Sequence, residues 1–295
     1  MISGIMPCAK WDEIGYPWRK AISCWATVCD EIILVVNGFA QAQSFIGEAM
    51  RFNDENHRAG KNCNIDVRSI MCPELKDFGG YGSYLMYGIC LASDPDWMIA
   101  IEADYLISPE AGKRLREKIL KAPSETELVT AKAVTMNYTG TRRVFLPDFQ
   151  NWFTPWDGFS WERPICSRVS MGVFPGMYLG IDRFNYHNTC EGFIRLRKGA
   201  PWGATYHSKN IKGYGSNGFK ILDTGIEFEH LTFTKNVNNI VEKLKSDDGY
   251  FIKQNIGIQE IVNGTHPHGV VYDELSGVKQ EYAEREQELL GRIGK

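Results

Sequence analysis

The chain lacks the features that would place it in several functional classes. No apolar run approaches the roughly 20 residues of a membrane-spanning helix. None of its eight cysteines forms a C-x-x-C pair or stands beside histidine at finger-like spacing, which argues against structural zinc. Charge of one sign is lacking too. A net charge of −3 leaves no basic field over the whole surface to hold nucleic acid. The opening residues MISGIMPCAK contain no charged stretch followed by an apolar one, so no signal peptide is expected. Cys24, Cys29 and Cys90 lie in apolar runs, where cysteine acts as a small hydrophobe. A cytoplasmic, reducing location is the matching expectation. The sequons at Asn137 and Asn263 would count only in a secreted protein and read as chance matches. There is no internal repeat and no low-complexity tract.

What is present is a globular composition. Hydrophobic residues make up 43% of the 295 and charged residues 23%, and a chain of this length buries most of its surface without staples. Ile2 to Met6 reads as a first strand and Pro17 to Cys29 as a helix. Ile32 to Val36 is an uninterrupted aliphatic run, the mark of a parallel strand buried on both faces. Asn37-Gly38 ends it. Gln41 to Asn53 reads as a helix, Cys63 to Met71 as a strand and Gly79 to Leu91 as a glycine-interrupted helix. Trp97 to Ile101 is another buried strand. Ser108-Pro109-Glu110 opens a helix to Leu120, with Ser as cap and Pro in the first turn. Alternating strands and helices predict βαβ units and a parallel sheet, with ligands outside the carboxyl ends of the strands.

After about Leu128 the pattern changes. Leu128 to Val134 is strand-like, and Gln150 to Pro164 is rich in aromatics, including Trp152, Trp156 and Trp161. Val237 to Lys245 and the charged tail from Asp273 read as helices. The expected organisation is an α/β half at 1–130, a second half of the same domain at 131–265, and a helical tail at 266–295.

Three polar segments fall at expected carboxyl ends: Pro7 to Glu13, Asn37 to Gln43 and Glu102 to Tyr105. Glu102 and Asp104 sit two residues apart. In extended backbone that spacing puts both carboxylates on one face, where they can hold a hard divalent cation that keeps positions open for phosphate oxygens. Spacing alone favours the ordinary reading, an acidic turn former or helix cap. Lys76 and the glycines Gly79 and Gly80 precede a helix and could approach an anion through backbone N–H groups or serve as a flexible turn. His266 and His268 stand in a Pro/Gly loop without nearby carboxylates and read as loop residues.

Three blocks resemble family 2-like glycosyltransferases of bacterial and phage type. The first is YPWRKAISCWATVCDEIILVVNG, with Tyr16-Pro17, Cys29-Asp30-Glu31 and Val35 to Gly38 in the matching places. The second is FGGYGSYLMYGICLASDPDWMIAIEADYLISPE, with Asp96-Trp97 and Asp104. The third is FEHLTFTKNVNNIVEKLK, with His230 and Lys235. The resemblance covers about the first 115 residues and a stretch near 225–245. It implies a GT-A (Rossmann-like) α/β fold, with a mostly parallel central sheet flanked by helices and a C-terminal acceptor-side extension. It implies a hexosyl- or pentosyltransferase taking a nucleotide sugar, a UDP-sugar by expectation, with Mn²⁺ or Mg²⁺ on Glu102, Asp104 and His230. Glu102 could instead contact the sugar or ribose. Pro7 and Ala9 would lie along the base, Asn37 and Gly38 near the nucleoside, and Lys235 over the diphosphate.

Two places depart from the family pattern. Asn37-Gly38-Phe39-Ala40 stands where relatives carry an acid, and Tyr105 stands where many carry Glu. A catalytically weak or inactive nucleotide- or sugar-binding protein on the same fold is therefore the alternative. Nucleotidyl transfer is a third reading, but its Gly-rich basic amino-terminal loop is not evident. An inverting transfer needs a carboxylate to take the acceptor's proton. Asp157 and Glu162 in FTPWDGFSWERP are the candidates, followed by Asp182 and Asp223. The acceptor is expected to be a hydroxyl of a glycan or of a hydroxylated base in DNA. Arg142-Arg143, Arg195, Arg197, Lys198, Lys209 and Lys212 make the second half locally basic, as an anionic acceptor or a plain solvated surface would both allow.

Overall fold

The structure is a computed structural model. It describes residues 1–8, 15–70, 88, 91–136, 142–144, 160–175, 192–195, 204–207, 219–231 and 272–274. Its centre is an eight-stranded sheet. In chain order the strands are β1 (Ile2–Cys8), β2 (Glu31–Asn37), β3 (Asn64–Ile70), β4 (Trp97–Ala100), β5 (Tyr105–Leu106), β6 (Leu128–Thr135), β8 (Ser160–Arg168) and β12 (Ile221–His230). Short strands β7 (Arg142–Val144), β9 (Val173–Pro175), β10 (Gly192–Arg195), β11 (Ala204–His207) and β13 (Tyr272–Glu274) form two smaller sheets. The helices are α1 (Trp18–Trp25), α2 (Phe39–Arg58) and α3 (Pro109–Leu120).

The spatial order is β3-β2-β1-β4-β8-β6-β12-β5. The pairs β3–β2, β2–β1, β1–β4 and β6–β12 are parallel, and only β8 and β5 run against the other six strands. The fold is thus a Rossmann-like α/β sheet of the GT-A kind. The order runs 3-2-1 and then jumps to 4, so the switch point lies between β1 and β4. In open α/β sheets that is where a ligand crevice opens, at the carboxyl ends.

Ile32 to Val36 is buried on both faces, as the unbroken aliphatic run predicts. One face packs against the helices. Trp18 of α1 meets Phe45 of α2 with ring centroids 4.6 Å apart, and Leu115 and Ile119 of α3 join the same core. Gly88, a helical residue, lies on the other face. A Cβ there would stand 3.1 Å from Val35 Cγ2 and closer still to Ile5. Helices therefore flank both faces.

Several boundaries move. Helix α1 ends at Trp25 rather than Cys29, because Thr27 and Val28 donate to the carbonyls of Cys24 and Trp25 and tighten the chain into a turn. Helix α2 runs past Asn53 to Arg58, supported by Arg51 pairing with Glu48 and Glu55 one turn away on either side. Helix α3 has the expected cap: Ser108 Oγ accepts from Ala111 N at 3.2 Å, with Pro109 in the first turn. Asp273 and Glu274 of the expected helical tail stand instead in β13, opposite Arg143 and Arg142 of β7. The rest of the tail, Val237 to Lys245 and most of Gly79 to Leu91 lie outside the described residues.

Candidate metal centre

Strand β4 delivers the first two candidate ligands. Its residues Trp97 to Ala100 are buried, and Ile101 N donates to Ile5 O at 2.9 Å, continuing the pairing with β1. The chain then turns. Tyr105 N donates to Glu102 O at 3.1 Å, closing a β-turn over Glu102-Ala103-Asp104-Tyr105. The extended backbone expected for Glu102 and Asp104 is thus corrected: a turn brings the two carboxylates together.

Strand β12 delivers the third. Its last residue, His230, pairs with Tyr105 in the antiparallel register of β5. Leu231 N donates to Asp104 O at 2.9 Å, and Met136 N donates to His230 O at 3.1 Å. The end of β12 is thereby stitched to the turn on one side and to the end of β6 on the other. His230 Nε2 comes within 3.7 Å of Asp104 Oδ2. One ligand atom from each of Glu102, Asp104 and His230 lies within 4.8 Å of the others.

The donor set fits a small hard divalent cation. Neighbouring ligands of an octahedral ion, each about 2.1 Å from it, stand about 3.0 Å apart, so ligand atoms within 4.8 Å of one another close on it with shifts of up to about 1–2 Å. Two carboxylates and one imidazole suit Mn²⁺ or Mg²⁺, and three protein ligands leave half an octahedron free. Asp104 is 3% exposed, and a buried carboxylate beside a second one calls for a compensating charge.

Sequence reading missed the part Tyr105 plays here. Its hydroxyl hydrogen-bonds Glu102 Oε1, and its ring meets the His230 ring edge-on at 5.2 Å between centroids. Its carbonyl accepts from Trp25 Nε1 at 3.0 Å, and its ring packs on Phe228 at 5.0 Å. No local signal could have found it: strand β5 is two residues long, and Tyr105 stands across from His230 only through the pairing with β12.

The remaining expected site residues sit as follows. Pro7 is buried in β1 opposite Val35. Asn37 ends β2 opposite Ile70, and Gly38 follows with φ of 90°, a conformation that suits glycine and lets the chain enter α2. Both strand ends share the rim of the Glu102–Tyr105 turn. Glu162 stands in β8 opposite Lys132, in the part of that antiparallel strand that reaches the same rim. Asp157, Ala9, Lys76, Gly79, Gly80, Asp182 and Lys235 lie outside the described residues. Asp223 does not share the site. It stands near the amino end of β12, where its Oδ1 accepts from Gly225 N at 2.8 Å and shapes a bulge.

The described cysteines take no part. Cys8, Cys24, Cys29, Cys63 and Cys166 are free thiols. Burial pushes the Cys8, Cys29 and Cys166 thiols well up and the Cys63 thiol up to about 12, so they stay protonated and poorly nucleophilic. No helix among the described residues is long and apolar enough to cross a membrane.

No protein-family model and no curated protein matches the chain. Solved structures overlap it loosely. Glucosyl-3-phosphoglycerate synthase from Mycobacterium tuberculosis, in complex with Mn²⁺, UDP and phosphoglyceric acid, is 17% identical over 45% of this chain and 43% of that one, with a TM-score of 0.29. The same enzyme with Mg²⁺ and UDP is 14% identical over 58% and 57%, at 0.30. CMP:2-keto-3-deoxy-manno-octonic acid synthetase complexed with CTP is 9% identical over 57% and 74%, at 0.33. The chain spans about half the length of the Mycobacterium tuberculosis synthase. Overlaps this loose carry no argument about chemistry, which rests on the site itself.

Proposed function

We propose that this protein is a metal-dependent glycosyltransferase that moves a sugar from a nucleotide-sugar donor, a UDP-sugar, to a hydroxyl acceptor. The observation that carries the reading is the convergence of Glu102, Asp104 and His230 at the carboxyl rim, next to the switch point between β1 and β4. A cation bound there, Mn²⁺ or Mg²⁺, would neutralise the charge that develops on the departing nucleoside diphosphate.

The protein's own groups divide the remaining work. Glu102, Asp104 and His230 hold the cation. Pro7, Ala9, Asn37 and Gly38 line the nucleoside side. Lys76, Gly79, Gly80 and Lys235 supply N–H groups and charge toward the diphosphate. Asp157, or Glu162 in β8, takes the proton from the acceptor hydroxyl. The acceptor is a glycan or a hydroxylated base in DNA, and the donor half and acceptor half belong to one domain. The alternative, binding without turnover, is favoured by Tyr105 and by the Asn37 loop lacking an acid.

Release of UDP from UDP-glucose and UDP-galactose, with and without MnCl₂, tests the reading. Metal-dependent release that disappears in Asp104→Asn is expected. Tight UDP–Mn²⁺ binding by calorimetry without release on any donor would select the binding protein instead. Full activity in both Asp104→Asn and Glu102→Gln would remove the metal assignment.

A further inference from the structure

The geometry points to Tyr105 as a positioning residue that sets how Glu102 meets the cation, and we propose that it selects small octahedral divalent ions against Ca²⁺. The inference rests on the reading of Glu102, Asp104 and His230 as cation ligands. Tyr105 touches two of the three. Its hydroxyl donates to Glu102 Oε1, and its ring stands at 90° to the His230 ring.

Tyr105 is itself fixed from three directions. Trp25 Nε1 donates to its carbonyl, Phe228 packs against its ring, and its backbone closes the turn through Glu102 O. Its side chain is 1% exposed, so water does not compete for the phenol. A hydroxyl so held engages one oxygen of the Glu102 carboxylate and so disfavours ligation through both oxygens at once. Single-oxygen ligation suits the octahedral geometry of Mg²⁺, which Mn²⁺ shares. Ca²⁺ takes more ligands and readily accepts both oxygens of one carboxylate. Groups that orient metal ligands in this way are typically worth about ten- to hundred-fold in affinity.

The experiment compares Mn²⁺ and Ca²⁺ dissociation constants of the full chain, without donor, for wild type and Tyr105→Phe. Phenylalanine keeps the ring against Phe228 and His230 and removes only the hydroxyl. The expected result is Mn²⁺ affinity weaker by about ten-fold or more, with Ca²⁺ changed far less, so that the preference narrows. In the Glu102→Ala background the same substitution should change Mn²⁺ affinity no further, because the hydroxyl acts through Glu102. If Tyr105→Phe does not fold, Glu102→Asp breaks the same hydrogen bond from the other side, and its Mn²⁺-to-Ca²⁺ ratio should narrow likewise. An unchanged ratio in whichever variant folds overturns the inference while leaving the metal centre standing. A wild type that binds neither ion overturns both.

Discussion

Asp104 and His230 stand 126 residues apart in the chain, yet His230 Nε2 lies 3.7 Å from Asp104 Oδ2. The contact exists because β12 delivers His230 to the rim where β4 ends, and because Asp104 O and Leu231 N lock the two chain segments in register. A pair of neighbouring carboxylates with one imidazole is then held by strand pairing, before any ligand arrives.

Such a site should link cation binding to stability. An ion that binds only the folded chain stabilises it by about 2.7 kcal/mol at a hundred times its dissociation constant. Saturating MnCl₂ should therefore raise the midpoint of urea unfolding, and EDTA should reverse the gain. In Asp104→Asn the midpoint should no longer respond to MnCl₂. A wild-type midpoint insensitive to both Mn²⁺ and Mg²⁺ would count against the site.

The two halves of this site differ in how legible they were. Glu102 and Asp104 follow an apolar run that announces a buried strand, so their place at a rim could be read directly. What could not be read was the backbone between them. A turn and a strand continuation look alike over three residues, and the hydrogen bond from Tyr105 N to Glu102 O decides for the turn. His230 was reached only through resemblance, because its partner strand β5 is two residues long and carries no periodicity of its own. Tyr105 was noticed only as a departure, since its contacts with Glu102, His230 and Trp25 depend on that pairing.

Gly112 gives a prediction that helix propensity gets backward. Within a helix, alanine normally exceeds glycine by about 1 kcal/mol. Here a Cβ would overlap Thr27 Oγ1 and sit 3.3 Å from Val28 Cγ2, where α3 packs on the turn after α1. Gly112→Ala should therefore destabilise, by roughly 1–3 kcal/mol as overpacking usually does. Adding Thr27→Ala should recover part of the loss. Chemical denaturation of the single and double variants checks the sign.

For the fold at large, the legible elements were those whose signals are local. Ile32 to Val36 and the Ser108-Pro109 cap are examples, one a buried run and the other a side chain bonding a nearby N–H. The insertion of β8 between β4 and β6 was not legible. Its pairings, such as Ile99 with Cys166, are long-range contacts between segments of ordinary composition.

Arg116 ties α3 to the amino ends of the sheet, the edge away from the candidate metal centre. Its Nη1 donates to Val28 O at 2.7 Å and its Nη2 to Asp30 Oδ1 at 2.6 Å, while Asp30 Oδ2 accepts from Ile2 N. Arg116→Met keeps the stem but leaves Asp30 and the Val28 carbonyl without these donors. A loss of roughly 1–3 kcal/mol is expected, with Mn²⁺ affinity unchanged. Calorimetric titration together with urea unfolding separates the two effects.

Cys63 predicts a loss of stability in alkali. Burial raises its thiol from 9.0 to about 12. In the unfolded chain the thiol ionises near its ordinary value, while in the folded chain it stays neutral. Above pH 9 the unfolded state therefore binds fewer protons than the folded one, and unfolding becomes easier as pH rises. The contribution is fully present below about pH 9 and is lost on the way to about pH 12, at about 1.4 kcal/mol per pH unit. Cys8, Cys29 and Cys166 are raised in the same direction and add to the slope. Cys63→Ala removes one thiol from this sum. At pH 7 it should be less stable than wild type, by the cost of a small cavity. The gap should close and then invert as the pH is taken from 8 to 11, because only the wild type carries that ionisation. Lysines and tyrosines titrate in both proteins and cancel in the difference. Urea unfolding at unit pH steps measures it, and a gap independent of pH would show that Cys63 is not shielded in the folded state.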